Sequence, residues 1–125
     1  MKLDWNVGLV AHLGIEFDEV TPDRVRARLA VSERLLTTTG TVHGGTLMAF
    51  ADTIGAAGTA ANLTGEQRTA TLESKTNFIA GCRGGTLHAE ARPIHKGKRT
   101  HVWETRITDD AGKLLSVTTQ TQMIL

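Results

Sequence analysis

The chain is poor in cysteine: its 125 residues include one, Cys82. A lone thiol cannot close an internal disulfide or build a cysteine-based metal site, and it fits a reducing compartment. An excess of charge is missing too, since 14 Lys and Arg stand against 13 Asp and Glu. That balance excludes the broadly basic composition of a nucleic-acid binder, despite one local basic cluster. No apolar leader opens the sequence, because Asp4 and Asn6 interrupt it. The most apolar region, residues 42–63, is long enough for a bilayer but contains Asp52 and many Gly, Thr and Ala. Repeats, low-complexity runs and linkers are also absent. These absences point to one soluble, cytoplasmic domain over residues 1–125, with neither a membrane nor a nucleic acid as partner. The hydrophobic content of 40% and charged content of 22% are those of a globular chain, so disorder is excluded.

Residues 23–31 read D-R-V-R-A-R-L-A-V. Val25, Ala27, Leu29 and Val31 share one face and the arginines the other, which is the period of a half-buried strand. Residues 14–20 can pair with it across the turn signal Thr21-Pro22-Asp23. From 44 to 62 the period becomes helical, through Leu47, Phe50, Ala51, Ile54, Gly58 and Ala61. Four strand-like stretches follow, at 69–79, 85–95, 100–108 and 113–125, with Asp109-Asp110-Ala111-Gly112 as a hairpin loop before the last. The order predicts an α+β domain in which an antiparallel sheet packs on a central helix.

That helix has an unusual composition. Between Arg34 and Glu66 the only formally charged side chain is Asp52. A surface helix carries a polar face; one this apolar should be covered all round, by the sheet and by a neighbour. Gly55-Ala56-Ala57-Gly58 suits close packing. A carboxylate on such a helix is either solvated on a face left open, or paired or functional. At the helix start, Val42-His43-Gly44-Gly45 allows close approach to the backbone, and free N–H groups there favour a developing negative charge such as a polarised thioester oxygen. The same glycines would serve a tight turn equally well. His43 and Asp52 are nine residues apart, so at ~100° and ~1.5 Å per residue they lie on roughly opposite sides of the helix, ~13 Å apart along it. If both serve one site, they come from two subunits, and a dimer has two equivalent composite sites.

The stretch T-V-H-G-G-T-L-M-A-F-A-D, residues 41–52, resembles the hotdog-fold thioesterases of the PaaI type, a group that includes phenylacetate-pathway and 4-hydroxybenzoyl-CoA thioesterases. L-E-S-K-T-N-F-I (72–79) and P-I-H-K-G-K-R-T-H-V-W-E (93–104) are similar to the family's later long strands. The resemblance weakens only before about Gly14. It implies a hotdog fold, a curved antiparallel sheet wrapped round one long helix, in homodimers that pair again into tetramers. It also implies a cofactor-free acyl-CoA thioesterase that releases the free acid and CoA.

Carried over residue by residue, Asp52 is the catalytic carboxylate, Gly44 supplies the N–H that polarises the carbonyl, and His43 lies beside the reacting group. Thr37 stands where the family usually has Asn or Gln, and Ala56 where it often has a water-holding Ser or Thr; Thr53 and Thr59 are the candidate substitutes. Substrate contacts are expected from Thr37, Gly45 and Thr71. The CoA tail is expected along Phe78, Ile79, Ala80 and Gly81 and along the bend His95, Lys96, Gly97, Lys98 and Arg99. Three cations and a glycine in that bend suit phosphate oxygens, although a solvated hairpin end has the same composition. No metal site is expected from His88, His95 and His101, which form no ligand pattern. The serines lack an elbow motif, and Cys82 is read as incidental. The competing reading is a hotdog hydratase or dehydratase on acyl thioesters; the spacing of His43 and Asp52 follows the thioesterase pattern instead. A non-catalytic acyl-CoA sensor usually requires an appended output domain, for which the chain has no room.

Overall fold

The computed structural model describes residues 3–125. A short helix α1 (Gly8–Leu13) precedes the hairpin β1 (Ile15–Thr21) and β2 (Arg24–Ala30), and a 3-10 turn (Glu33–Leu35) leads to the long helix α2 (Gly44–Ala60). Four strands follow: β3 (Thr69–Phe78), β4 (Thr86–Lys96), β5 (Thr100–Thr108) and β6 (Leu114–Ile124). All six pair antiparallel in one sheet, in the order β1-β2-β4-β5-β6-β3. The sheet curves around α2, which contacts every strand. This is the α+β architecture expected from the alternation of periods.

Local chemistry explains most boundaries. The β1–β2 turn is tied by Thr21 Oγ1, which accepts the Arg24 N–H at 2.9 Å. The β5–β6 loop is tied by Asp109 Oδ1, which accepts from the N–H groups of Ala111 and Lys113, both at 2.9 Å. Two elements escape the periodicity reading. Helix α1 has only six residues, no side-chain N-cap and one buried residue, Leu13; the left-handed Gly14 (φ 78°) ends it. The turn at Glu33–Leu35 is a single one and also lacks a side-chain cap.

The core lies between α2 and the inner face of the sheet, where Val25, Leu29, Phe50, Ile54, Leu87, Trp103, Ile107 and Leu115 are fully buried. A side chain at Gly58 would overlap the Trp103 ring, so this glycine lets sheet and helix close on each other. Two features shape the site. First, its own chain covers α2 on all but one side, where Gly45, Met48, Ala49, Asp52, Thr53, Ala56 and Ala60 form a partly or fully exposed stripe. Second, the inner face of β6 is polar, with Ser116, Thr118, Gln120 and Gln122 all buried against the helix side.

Strand β3 is an edge, and Leu72 and Phe78 on it are exposed, as is Ile79 just beyond its end. A bulge between Thr71 and Glu73 shifts its register. Thr71, Ser74, Thr76 and Phe78 therefore pair with Gln122, Gln120, Thr118 and Ser116, alternate residues of β6, and all four face the helix. Without the bulge Thr71 would point away from it.

Candidate active site

Asp52 lies midway along α2 on the open stripe. Its Oδ1 accepts the Thr71 hydroxyl at 2.6 Å and the Gln120 amide at 3.1 Å. Thr71 is held in turn by Gln122 Nε2 at 2.6 Å, and Gln122 Oε1 accepts from Thr69 Oγ1 at 2.9 Å. One carboxylate oxygen is thus anchored by two donors. Oδ2 has no partner among the described residues. An oriented carboxylate with one free oxygen can remove a proton from water or attack a carbonyl carbon.

The start of α2 presents the second group of candidates. His43 is the N-cap, with extended backbone (φ −62°, ψ 136°), and its Nδ1 accepts the Gly45 N–H at 2.7 Å. A ring nitrogen that accepts cannot hold the proton, so the proton sits on Nε2, which is a donor. The hydroxyl of Thr46 and the N–H groups of Thr46 and Leu47 have carbonyl acceptors. The Gly44 N–H has none among the described residues. The Phe78 ring covers Gly44 so closely that an added Cβ would lie 3.1 Å from it.

Gly81 sits against Thr41, and the Val42 N–H bonds the Cys82 carbonyl at 2.8 Å. The N–H groups of Ile79 and Ala80 both turn to Leu115 O, at 2.8 and 3.2 Å. Thr37 closes the preceding loop, its N–H on Thr41 O at 2.6 Å and its hydroxyl between those of Thr39 and Thr41. The structure therefore brings Thr37, His43, Gly44, Gly45 and residues 78–81 together at one end of α2, and Asp52 with Thr71 at its middle.

The bend lies at the other end. Lys96 Nζ donates to Asp23 Oδ1 at 2.5 Å, to Pro22 O at 3.4 Å and to Asn62 Oδ1 at 3.3 Å, joining the β1–β2 turn to the end of α2. Gly97 closes the hairpin with its N–H on Thr100 O at 2.8 Å. His95, Lys98 and Arg99 are exposed, and neither Lys98 nor Arg99 has an ion-pair partner among the described residues. On β6, Phe78 is level with Ser116 and Thr100 with Met123. Seven residues of strand, ~23 Å, separate the two candidate CoA-binding segments within one chain.

The two threonines offered as water holders are engaged elsewhere. Thr53 Oγ1 bonds back to Ala49 O at 2.8 Å. Thr59 is buried, accepting from Trp103 Nε1 at 2.9 Å and meeting His101 Nδ1 at 3.1 Å. Burial, followed by the fields of Lys96 and His95, holds the His101 pKa below its ordinary value. His88 instead pairs with Asp110 at the surface. At the C-terminal end of α2 lies a cavity of about 460 Å³ lined in part by Trp5, Val20, Ala57, Ala60, Leu63 and Thr69. The glutamines and this cavity were not foreseen. The run T-T-Q-T-Q at 118–122 is polar on both faces and does not mark which one is buried, and the cavity joins segments distant in sequence.

Comparison with known proteins bears on the family of the chain and on its fold. Residues 39–116 match the model of the thioesterase superfamily. The chain is 31% identical over 117 residues to the 1,4-dihydroxy-2-naphthoyl-CoA hydrolase of Escherichia coli, covering 94% of this chain and 86% of that protein. It is 33% identical over 111 residues to a Listeria monocytogenes hydrolase of the same name, covering 89% and 90%. The structure of a thioesterase from Haemophilus influenzae matches with a TM-score of 0.88 at 31% identity, over 93% of this chain and 81% of that one. With its central helix, curved six-stranded sheet and these relatives, the chain belongs to the hotdog-fold thioesterase superfamily and is a thioester hydrolase.

Proposed function

We propose that the protein hydrolyses the CoA thioester of a bulky, largely apolar acid, with Asp52 as the reacting carboxylate and the Gly44 N–H as the donor to the thioester oxygen. The observation that carries this reading is the Asp52 carboxylate, fixed through Oδ1 and free at Oδ2 on an otherwise uncharged helix. The unpaired Gly44 N–H supports the second role, because a donor at a helix N-terminus stabilises the charge that develops on the carbonyl oxygen. His43, with its proton on Nε2, adds a second donor at that end. The cavity of about 460 Å³ beyond Ala57 supports a bulky acyl group, as do relatives named for a naphthoyl-CoA substrate.

The site is completed by a second copy of the chain. An open stripe on α2 and an unpaired β3 edge with exposed Leu72 and Phe78 are surfaces that a soluble protein covers. Antiparallel pairing of two β3 strands about a two-fold between Ser74 and Lys75 would set Thr71 of one copy opposite Phe78 of the other. Asp52 would then face the other copy's Gly44, and the bend of one copy would approach residues 78–81 of its neighbour. Such dimers would pair again into tetramers. CoA phosphates would meet Lys98 and Arg99 rather than Lys96, which Asp23 already holds.

The test is Asp52→Asn, which keeps the shape and removes the charge. Release of CoA should fall at least ~100-fold with the fold intact. Activity within a few-fold of the unaltered protein would overturn the assignment. Across a panel of substrates, aryl-CoAs should exceed acetyl-CoA in kcat/KM.

A further inference from the structure

Gln120 is fully buried, yet its amide is only half satisfied. Nε2 donates to Asp52 Oδ1 at 3.1 Å and to the Asp52 main-chain carbonyl at 3.3 Å. Both neighbours are acceptors, so the amide must turn its NH2 group toward them. Oε1 is left buried without a donor among the described residues. A buried unpaired carbonyl oxygen is unfavourable, and an apolar side chain of the same length would avoid it.

Gly55 is a second local sacrifice for the same contact. A Cβ at this position would overlap the Gln120 amide, so only glycine lets that amide lie against the helix. Glycine within a helix is itself destabilising relative to alanine. Two choices that each weaken the fold converge on one carboxylate.

We propose that Gln120 is a positioning residue for the hydrolysis and that Gly55 is its seat; the inference rests on the reading of Asp52 as the reacting group. Thr71 alone gives Oδ1 one hydrogen bond, from an exposed edge strand, and leaves the carboxylate free to turn about its last torsion. The Gln120 amide adds a second donor to the same oxygen and grips the carbonyl of the same residue. The carboxylate plane is then fixed relative to α2, and with it the position of Oδ2. Loss of this hold misaligns the reacting oxygen without touching the cavity or the basic bend. It lowers kcat and leaves KM in place.

Gln120→Met, Gln120→Ala, Gly55→Ala and Asp52→Asn test this together. Gln120→Met keeps the length and removes the donor. Its kcat should fall ~10-fold or more with KM within ~2-fold, and its Tm should equal or exceed that of the unaltered protein. Gly55→Ala should lower kcat to a similar extent in the native background. In the Gln120→Ala background, where the amide is gone, it should change kcat by less than ~2-fold. The double-mutant comparison also stands if Gln120→Met fails to fold. An undiminished kcat in Gln120→Met with Asp52→Asn inactive overturns the positioning role alone. A Gly55→Ala effect of equal size in both backgrounds overturns the seat. Activity retained by Asp52→Asn removes the catalytic reading and the inference with it.

Discussion

At the scale of the residue, His101 shows how burial fixes a protonation state. It is 4% exposed, and its Nδ1 meets Thr59 Oγ1, an oxygen that already accepts from Trp103. Enclosure of this kind favours the neutral imidazole over the charged one. Burial first, then Lys96 and His95, lower its folded pKa, whereas the unfolded histidine titrates near ~6.5. Between those two values the unfolded chain binds more protons. Stability is complete above about pH 6.5 and declines as the pH falls through the folded value. Glu19 and Asp110 also have lowered pKa values, Glu19 through its bond from Arg24 and Asp110 through its bond from His88. Their losses begin only near the carboxylate range of ~4. Urea midpoints should thus drop as the pH falls below about 6.5, and His101→Asn should flatten that slope. An unchanged slope in the variant would assign it to other groups.

At the scale of the element, the β4–β5 bend separates a structural cation from two available ones. Lys96 closes the gap between the β1–β2 turn and the end of α2, through Asp23, Pro22 and Asn62. Lys98 and Arg99 project from the same bend without ion-pair partners among the described residues. Replacing Lys98 and Arg99 by Ala should raise the KM for acyl-CoA more than it lowers kcat, because phosphate contacts serve ground and transition states alike. The effect should shrink on a short pantetheine thioester that lacks the phosphates. Lys96→Ala should lower Tm and change KM less. Equal losses on both substrates would exclude a phosphate site in the bend.

At the scale of the whole molecule, the central prediction is that each active site needs two chains. Gly44 is the first residue of α2, a position that tolerates proline, and His43 has the extended backbone favoured before one. Gly44→Pro removes the N–H, and the exposed Phe78 ring must shift to admit the new ring. Asp52→Asn and Gly44→Pro should each be inactive alone. After dissociation and reassociation of an equal mixture, about half the dimers carry one chain of each kind, and each of these has one intact site. Roughly a quarter of the unaltered activity should return. Mixed dimers confirmed by mass, with both parents folded and activity still at background, would place both residues in one chain's site.

The alternation in residues 23–31 and 85–95, the helical period after Gly44 and the turn residues at 21–23 and 109–112 were enough to define β2, β4, α2 and two hairpins. These signals depend on neighbours in the chain, and the side of an element that must be buried is written in its own spacing. Asp52 was legible for the same reason, as the one charge in a long uncharged segment. The tertiary structure decided the rest. The polar alternation around Gln120 and Gln122 does not mark which face is buried, and only the packing of β6 against α2 puts them inside. The bulge at Leu72 moves Thr71 to the face where it meets Asp52. Sequence spacing also could not divide Lys96 from Lys98 and Arg99, because the division comes from Asp23, 73 residues away. Spacing along a chain fixes the face on which a residue lies; the group it meets there is fixed by packing between segments that the sequence keeps far apart.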